Sequence, residues 1–512
     1  MRVAIIGSGI SGLGAAWALS EHSNHEVTLY EKDDYVGGHT HTVDYCVPSC
    51  SIATRSSGEM GNTKPKNVGS KIPVDTGFIV FNNLTYPNLL QFFKHLEVEY
   101  INSDMSFSVS RDRGKFEWAG NNLLTVFAQH ENITSVDMWR TVYDIIKFNF
   151  EATDIIALPE GHPDRELTVG EFLDRRNYSE AFRRNYLLPM TAAIWSTPPD
   201  KCSLEFPAYT LIKFMHNHCL LQITNRPQWL TVKNGSRNYV KKVVEKLKDV
   251  RTSTEVISVT RTADGKSIVK DRTGKEDEYD HVVFATHGDQ TLRILGSSAT
   301  DAEKDILSKV LYSKNRALLH CDRALMPIRR KAWTSWNYLA TSDSNGSSIN
   351  SVALTYWMNL LQSIDTEKYG DVFVTLNPPY EPQPESIIGE YLYEHPTYNK
   401  GLIEAQKELH KIQSTDTSFC GAWTNYGFHE DGLTSGLKVA LKLGASPPFQ
   451  VIDATHIRNT PKGIASFLNR KLFRYFDIML ALILWGVSLL YMFLTGRQPG
   501  KPSSRANYKA KN

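Results

Sequence analysis

The spacing of apolar residues changes several times along the chain, and each change marks an element. Arg2 to Ile6 is a short, β-branched apolar run that predicts a strand buried on both faces. Leu13 to Leu19 then reads as a helix and Val27 to Tyr30 as a second strand. From Tyr86 to Gln222 the pattern is mostly helical, with runs at Leu89 to Leu96, Met138 to Phe150 and Ser179 to Ile194. Gln228 to Leu247 leads back to strand-like sequence, continued by Glu255 to Thr286 and its final run HVVFAT. From Asn315 to Asn377, alternating β-branched and aromatic residues predict an antiparallel sheet. Tyr45 to Ser70, rich in Ser, Gly, Lys and Asn, predicts an inserted surface loop.

Strand, turn, helix and strand in that order predict an α/β class with a parallel sheet. The first turn says what such a sheet binds. Gly7, Gly9 and Gly12 form G-x-G-x-x-G around Ser8, directly between strand and helix. Gly7 allows the tight turn, Gly9 lets a pyrophosphate approach the backbone, and Gly12 lets helix and strand pack closely. The helix start offers free N–H groups and its positive dipole end. Glu31 closes the second strand, where a carboxylate reaches a ribose hydroxyl. The pattern is that of a dinucleotide site.

After Glu31 the chain reads KDDYVGGHTHTV, and the Gly37-Gly38 pair sets it apart from ordinary NAD domains. Val3 to Thr42 resembles the flavoproteins of the amine oxidase and phytoene desaturase superfamily, which place a Gly-Gly-Arg turn against the pyrophosphate and ribityl chain. The resemblance implies FAD, with Gly38 and His39 in that turn. His39 replaces the usual Arg, so it offers one hydrogen bond in place of a guanidinium fork and can respond to pH. The alternative leaves His39 and His41 as exposed loop residues. The resemblance also implies that Val74 to Phe78 passes close to the flavin ring and that Val256 contacts the adenine side. It further implies that Phe419 to Gly436 meets the flavin through Gly421, Asp431, Gly432 and Leu433 at a helix start. Ala422-Trp423 stands where the superfamily usually has an acidic residue.

GGHTHTV, PVDTGFIVFN, MTAAIWSTPP, SWNYLAT, TYWMN, FVTLNP and CGAWTNYGFHEDG together resemble one subfamily of FAD-dependent oxidoreductases, associated in bacteria with cyclopropane-fatty-acid synthases. The resemblance runs from Met1 to about Leu443 and implies a Rossmann-type FAD-binding domain with a discontinuous α+β substrate domain. The expected division gives 1–85, 228–300 and 415–460 to the FAD-binding domain, with 45–70 as the inserted loop. Residues 86–227 form a helical part and 301–414 a sheet part of the substrate domain.

Composition narrows the setting. With 512 residues and a net charge of +2, the chain carries no bulk attraction to nucleic acid. Its six cysteines contain no CxxC pair; Cys46 and Cys50 alone are too few for zinc, and a reduced chain is expected over a disulfide. Ile478 to Leu494 is an uncharged run of seventeen residues between Arg470, Lys471 and Arg474 on one side and Arg497 and Lys501 on the other. It predicts a C-terminal transmembrane helix over 476–496, a basic tail over 497–512 and a tail-anchored protein with its flavin domain in the cytosol.

Flavin enzymes of this kind mainly position a C–H bond and exclude water. His429 is the candidate catalytic base, with Glu430 beside it; the alternative has both orienting the turn. Trp333, Trp336, Tyr356 and Trp357, and the run Met190 to Pro199, are candidate cavity walls or ordinary core. No second G-x-G-x-x-G occurs, so electrons are expected to leave to oxygen, a quinone or a redox protein. The anchor and the resemblance favour a hydrophobic, fatty-acyl or lipid substrate. An amine oxidase, a flavin-bound isomerase and a non-redox scaffold stay open. FAD is expected to be non-covalent, with Cys420 the one cysteine near the flavin turn.

Overall fold

The computed structural model describes residues 1–47, 66–195, 204–222, 226–342 and 349–453, with four further positions at 472, 475, 476 and 479. A five-stranded sheet is built in the order Asp249–Arg251, Glu26–Tyr30, Arg2–Ile6, His281–Phe284 and Thr417–Phe419. Every pairing in it is parallel. Its strands come from three distant stretches of sequence, so the chain leaves this sheet twice and returns. Val3, Ile5, Leu29 and Val283 are fully buried, which is why these strands are continuously apolar.

The helices Ile10–Glu21 and His429–Lys442 cross on one face of this sheet. Their closeness depends on small residues. A Cβ at Gly436 would collide with the Ser11 carbonyl oxygen, and one at Gly432 would come 2.7 Å from Ile10 Cγ2. The crossing brings both helix starts, near Gly9 and near His429, to one end of the sheet. That is where parallel α/β sheets bind ligands.

A seven-stranded mixed sheet forms the second layer. Its order is Ile387–Pro396, Tyr312–His320, Phe373–Leu376, Ile349–Trp357, Trp336–Ser342, Phe107–Arg111 and Phe116–Ala119. This sheet is wider than expected. The helical region contributes the hairpin Phe107–Arg111 and Phe116–Ala119, and the first of these pairs parallel to Trp336–Ser342. The hairpin carries its own alternation: Val109 and Trp118 are buried in the main core and directly opposed. The helical runs expected from spacing correspond to Pro87–His95, Val136–Glu151 and the helical stretch from Glu180 to Trp195.

The strands Thr42–Cys46 and Lys71–Asp75 form a hairpin at the base of the expected loop, of which 48–65 lies outside the described residues. Cys46 and Cys420 are free among the described residues, and Cys50 and Cys202 lie outside them. Among the described residues no helix is long and apolar enough to cross a membrane. The expected span Ile478 to Leu494 falls, apart from Met479, outside them.

Candidate functional site

The phosphate turn has the geometry its glycines imply. Gly7 has φ +100°, and a Cβ there would lie 2.9 Å from the Ala285 carbonyl oxygen. A Cβ at Gly12 would collide with the Gly7 carbonyl oxygen, so helix and turn touch at that point. At Gly9 no atom lies within 4 Å of a Cβ position. That open space, at a helix start with no side-chain cap, is a cradle for a pyrophosphate. Glu31 stands over the turn: Ser8 donates to it from its backbone N–H at 3.0 Å and its hydroxyl at 2.6 Å, and Asp33 N–H donates at 3.0 Å. A carboxylate accepts about four hydrogen bonds, so one lone pair is left for a ribose hydroxyl. Ser253 and Thr254 donate to the carbonyls of Asp33 and Glu31 at 2.8 Å, which brings buried Val256 to the same side.

Gly37 and Gly38, at φ +131° and +58°, bend the next loop back onto this turn, where a Cβ at Gly38 would lie 3.1 Å from Gly9 Cα. The His39 carbonyl accepts from Phe78 N–H at 2.7 Å and faces Gly77 too closely for any side chain there. The Phe78 ring stacks on His429 with centroids 3.7 Å apart and planes 8° apart. His429 Nε2 lies 2.7 Å from the Tyr239 hydroxyl, which is 2.5 Å from Thr40 Oγ1. Burial holds this imidazole neutral, with its pKa down at about 3. The expected base is thus stacked and hydrogen-bonded inside the fold. Its geometry is that of a positioning residue tying the Gly37–His39 loop to the helix His429–Lys442.

Glu430 has a different task again. Its two oxygens accept from Asn88 N–H and Leu89 N–H, each at 2.9 Å, capping the first turn of Pro87–His95. Burial pushes its carboxyl up to about 8. Asp431 accepts from Phe428 N–H at 2.9 Å and Asn425 Nδ2 at 2.7 Å, and burial raises it to about 7. Leu433 is buried against Gly14 in the helix crossing, and Gly432 lies against Ile10. Gly421 donates to Ser435 Oγ at 2.9 Å. A Cβ at Gly421 would lie 2.6 Å from the Trp423 indole, whose Nε1 is buried with no acceptor among the described residues. That orphaned donor, the open space at Gly9 and the spare acceptor on Glu31 fit a flavin dinucleotide. Gly7 to Gly12 would hold its pyrophosphate, Glu31 and Val256 its adenosine end, and the start of His429–Lys442 its flavin.

Sequence reasoning missed one group. His39 stacks on His395 at 5.2 Å, with planes 13° apart, and lies 5.3 Å from Tyr393. Burial, and then the neighbouring imidazoles of His395, His287 and His429, keeps the pKa of His39 well down. Burial likewise takes His395 down to about 4. His287 Nδ1 lies 3.2 Å from Glu394 Oε2, and both side chains are part-exposed. His41 and Thr76 share the Tyr393 hydroxyl at 3.0 and 2.6 Å. Tyr391, Tyr393 and His395 alternate along Ile387–Pro396, and that period of two was the available signal. Of the aromatic cavity candidates, Trp333 packs on Trp357 and Phe373, with Arg330 over both indoles, and Trp336 packs edge-on against Tyr356. Of the run Met190 to Pro199, residues 196–199 lie outside the described residues.

At the other side of the helix start, Phe428 stacks on Phe214 at 5.3 Å, with His218 at 5.1 Å. Tyr426 lies 5.2 Å from Phe214, and burial lowers His218 to about 4. This cluster is aromatic and its side chains are uncharged.

Comparisons with known proteins bear on the fold and the family. Solved structures share the fold: a CLA-producing fatty acid isomerase from P. acnes has 15% identity and TM-score 0.57, over 87% of this chain and 99% of its own. Cyclohexylamine oxidase from Brevibacterium oxydans IH-35A has 15% identity and TM-score 0.57, over 86% and 98%. An oxidoreductase from Methanosarcina mazei has 14% identity and TM-score 0.56, over 86% and 100%. A search of curated protein sequences finds no match. Residues 10–442 match the flavin-containing amine oxidoreductases, and the chain belongs to that family, with FAD as its cofactor.

Proposed function

We propose that this FAD-dependent oxidoreductase takes its hydride from a long hydrophobic substrate, a fatty-acyl or other lipid chain. The observation that carries the reading is the aromatic cluster of Phe214, His218, Tyr426 and Phe428 beside the start of His429–Lys442, all neutral. An alkylammonium substrate would favour an ionised carboxylate there. Asp431 and Glu430, the carboxyls on that turn, are both pushed up by burial and engaged by backbone donors, and Asp453, whose charge reaches Tyr426, is paired with Lys438 at 3.2 Å. Among the solved structures of similar fold, one is described as acting on a fatty acid, which is compatible with such a cluster.

Bound FAD supplies the two-electron acceptor. The chain's own residues exclude water and handle the proton. His287 with Glu394, part-exposed beside the deep-set pair His39 and His395, offers a proton released at the substrate a route to solvent. Electrons then pass to oxygen, a quinone or a redox protein. We read Ile478 to Leu494 as the anchor that keeps the enzyme at a membrane where such substrates are dissolved.

Incubating the FAD-loaded protein with a defined long-chain acyl lipid and weighing the product tests this. Loss of two hydrogen atoms from the lipid supports the proposal. Unchanged mass with a moved double bond indicates an isomerase. Turnover of cyclohexylamine or putrescine alone overturns the lipid reading.

A further inference from the structure

We propose that His395 is held in one tautomer by two asparagines and presents its Nε2–H to bound FAD as a fixed hydrogen-bond donor. The first link is a backbone group, whose polarity is certain. Arg316 N–H donates to Asn377 Oδ1 at 3.0 Å, so the Nδ2 of that amide is the end left to donate. Asn377 Nδ2 donates to Asn315 Oδ1 at 2.7 Å, which turns Asn315 Nδ2 toward His395. Asn315 Nδ2 lies 2.8 Å from His395 Nδ1 and 3.3 Å from the Ser313 carbonyl oxygen. An amide NH2 donates and does not accept, so Nδ1 is the acceptor and the ring proton sits on Nε2. Flipping either amide would set oxygen against oxygen, so each orientation follows from the peptide N–H at the start.

The relay stands where strands meet and end. Asn377 follows Phe373–Leu376 at φ +50°, a left-handed conformation that asparagine adopts more readily than most residues. Its own N–H donates back to the Arg316 carbonyl at 2.8 Å, which ties it to Tyr312–His320. Asn315 is 1% exposed, and the antiparallel register sets Ser313 opposite His395 and Asn315 opposite Tyr393. The asparagine therefore reaches the histidine diagonally across the strand pair. A proton on Nδ1 would face the Asn315 NH2, so the relay opposes the imidazolium as well as the other tautomer. Burial acts in the same direction and takes His395 down to about 4.

The other edge of the ring opens toward the cofactor. His395 Nε2 makes no hydrogen bond among the described residues, and protein atoms do not seal it off. A group deep enough for burial to govern its ionisation, yet still uncovered, lines a cleft. His39 stacks on His395 at 5.2 Å and has the same character. It belongs to the Gly37–His39 loop, which lies against Gly9 of the phosphate turn. Tyr393, on the same side of the strand as His395, shares its hydroxyl with His41 and Thr76 of the FAD-binding part. His39 replaces an arginine, and the neutral Nε2–H of His395 supplies a donor beside it. This inference rests on FAD as the cofactor and not on the lipid-substrate reading.

The test uses the full chain with isotope-labelled histidine, before and after loading with FAD. Long-range proton–nitrogen spectra at about pH 8, where free imidazole is neutral, read which ring nitrogen holds the proton. His395→Phe or His395→Gln identifies the signal by its loss. We expect the wild-type proton on Nε2, with that signal moving when FAD binds. Asn315→Asp places an acceptor opposite Nδ1, so the proton should shift there and Nε2 should turn from donor to acceptor. In fluorescence titration, Asn315→Asp and His395→Phe are each expected to bind FAD about ten-fold more weakly, the worth of one hydrogen bond. A wild-type proton on Nδ1, or on both nitrogens, overturns the relay. An Nε2 signal unmoved by FAD, or wild-type affinity in Asn315→Asp once its tautomer has inverted, overturns donation to FAD. Circular dichroism reports folding, and where Asn315→Asp does not fold the two wild-type spectra decide. No substrate enters either readout, so failure here is distinct from failure of the lipid-substrate reading.

Discussion

Gly9 and Gly12 stand three positions apart and do different work. Gly9 faces open space, so Gly9→Val is expected to fold and to lose FAD. The expected loss is about 100-fold in Kd, or ~2.8 kcal/mol, read by flavin fluorescence titration. Gly12→Val places carbon against the Gly7 carbonyl oxygen, so the expected outcome is loss of folded protein, read by circular dichroism. His429 is the second residue at which roles can be separated. If it positions the loop through Tyr239, then His429→Phe and Tyr239→Phe each slow turnover modestly, and the double variant is no worse than either single one. Abolished turnover in His429→Phe with normal rates in Tyr239→Phe would restore the role of base.

Among the elements, those fixed by local pattern were legible and those fixed by distant partners were not. The first strand, the phosphate turn, the helix after it and the strand ending in Glu31 follow from apolar runs and glycines alone. The start of His429–Lys442 was legible only through the family resemblance, because its first turn carries the polar residues His429, Glu430 and Asp431 in place of an apolar run. The hairpin Phe107–Arg111 with Phe116–Ala119 was hidden because it lies within helical sequence and gains its partner from Trp336–Ser342. The histidine group was hidden because His39, His287 and His395 are brought together only by the fold. Glu430 shows the same limit, since its partners are backbone groups at the start of Pro87–His95. Glu430→Ala leaves those two buried N–H groups without an acceptor and is expected to cost ~2 kcal/mol. Chemical denaturation would read this as a lower midpoint at unchanged slope, and Glu430→Gln, which keeps one acceptor and turns an NH2 toward the other N–H, is expected to lose stability as well.

At the scale of the whole molecule, buried titratable groups of both kinds set the pH of greatest stability. Burial lowers His218, His320 and His395 to about 4 and His429 to about 3. Once unfolded they take up protons near 6.5, so stability falls as pH drops from 6.5 toward 4. Glu430 and Asp431, raised to about 8 and about 7, act in the other direction. They stay protonated when folded and ionise near 4 when unfolded, so their contribution is full at low pH and disappears as pH rises through 7 to 8. Between pH 4.5 and 6.5 the two sets oppose each other; Asp75, raised to about 6 by burial, joins the carboxyls, and the four imidazoles with His39 outnumber these three. Melting temperature is therefore expected to peak near pH 6.5 and to decline on both sides. We propose a flavin dinucleotide held where the two helices cross, with an uncharged aromatic cluster beside it that takes a lipid chain. An anaerobic absorbance titration of the FAD-loaded full chain tests it most directly. Bleaching of the oxidised flavin band by a long-chain acyl lipid, and not by cyclohexylamine, is the predicted result. Protein that cannot be loaded with FAD, or a flavin bleached by the amine and unmoved by lipid, would contradict it.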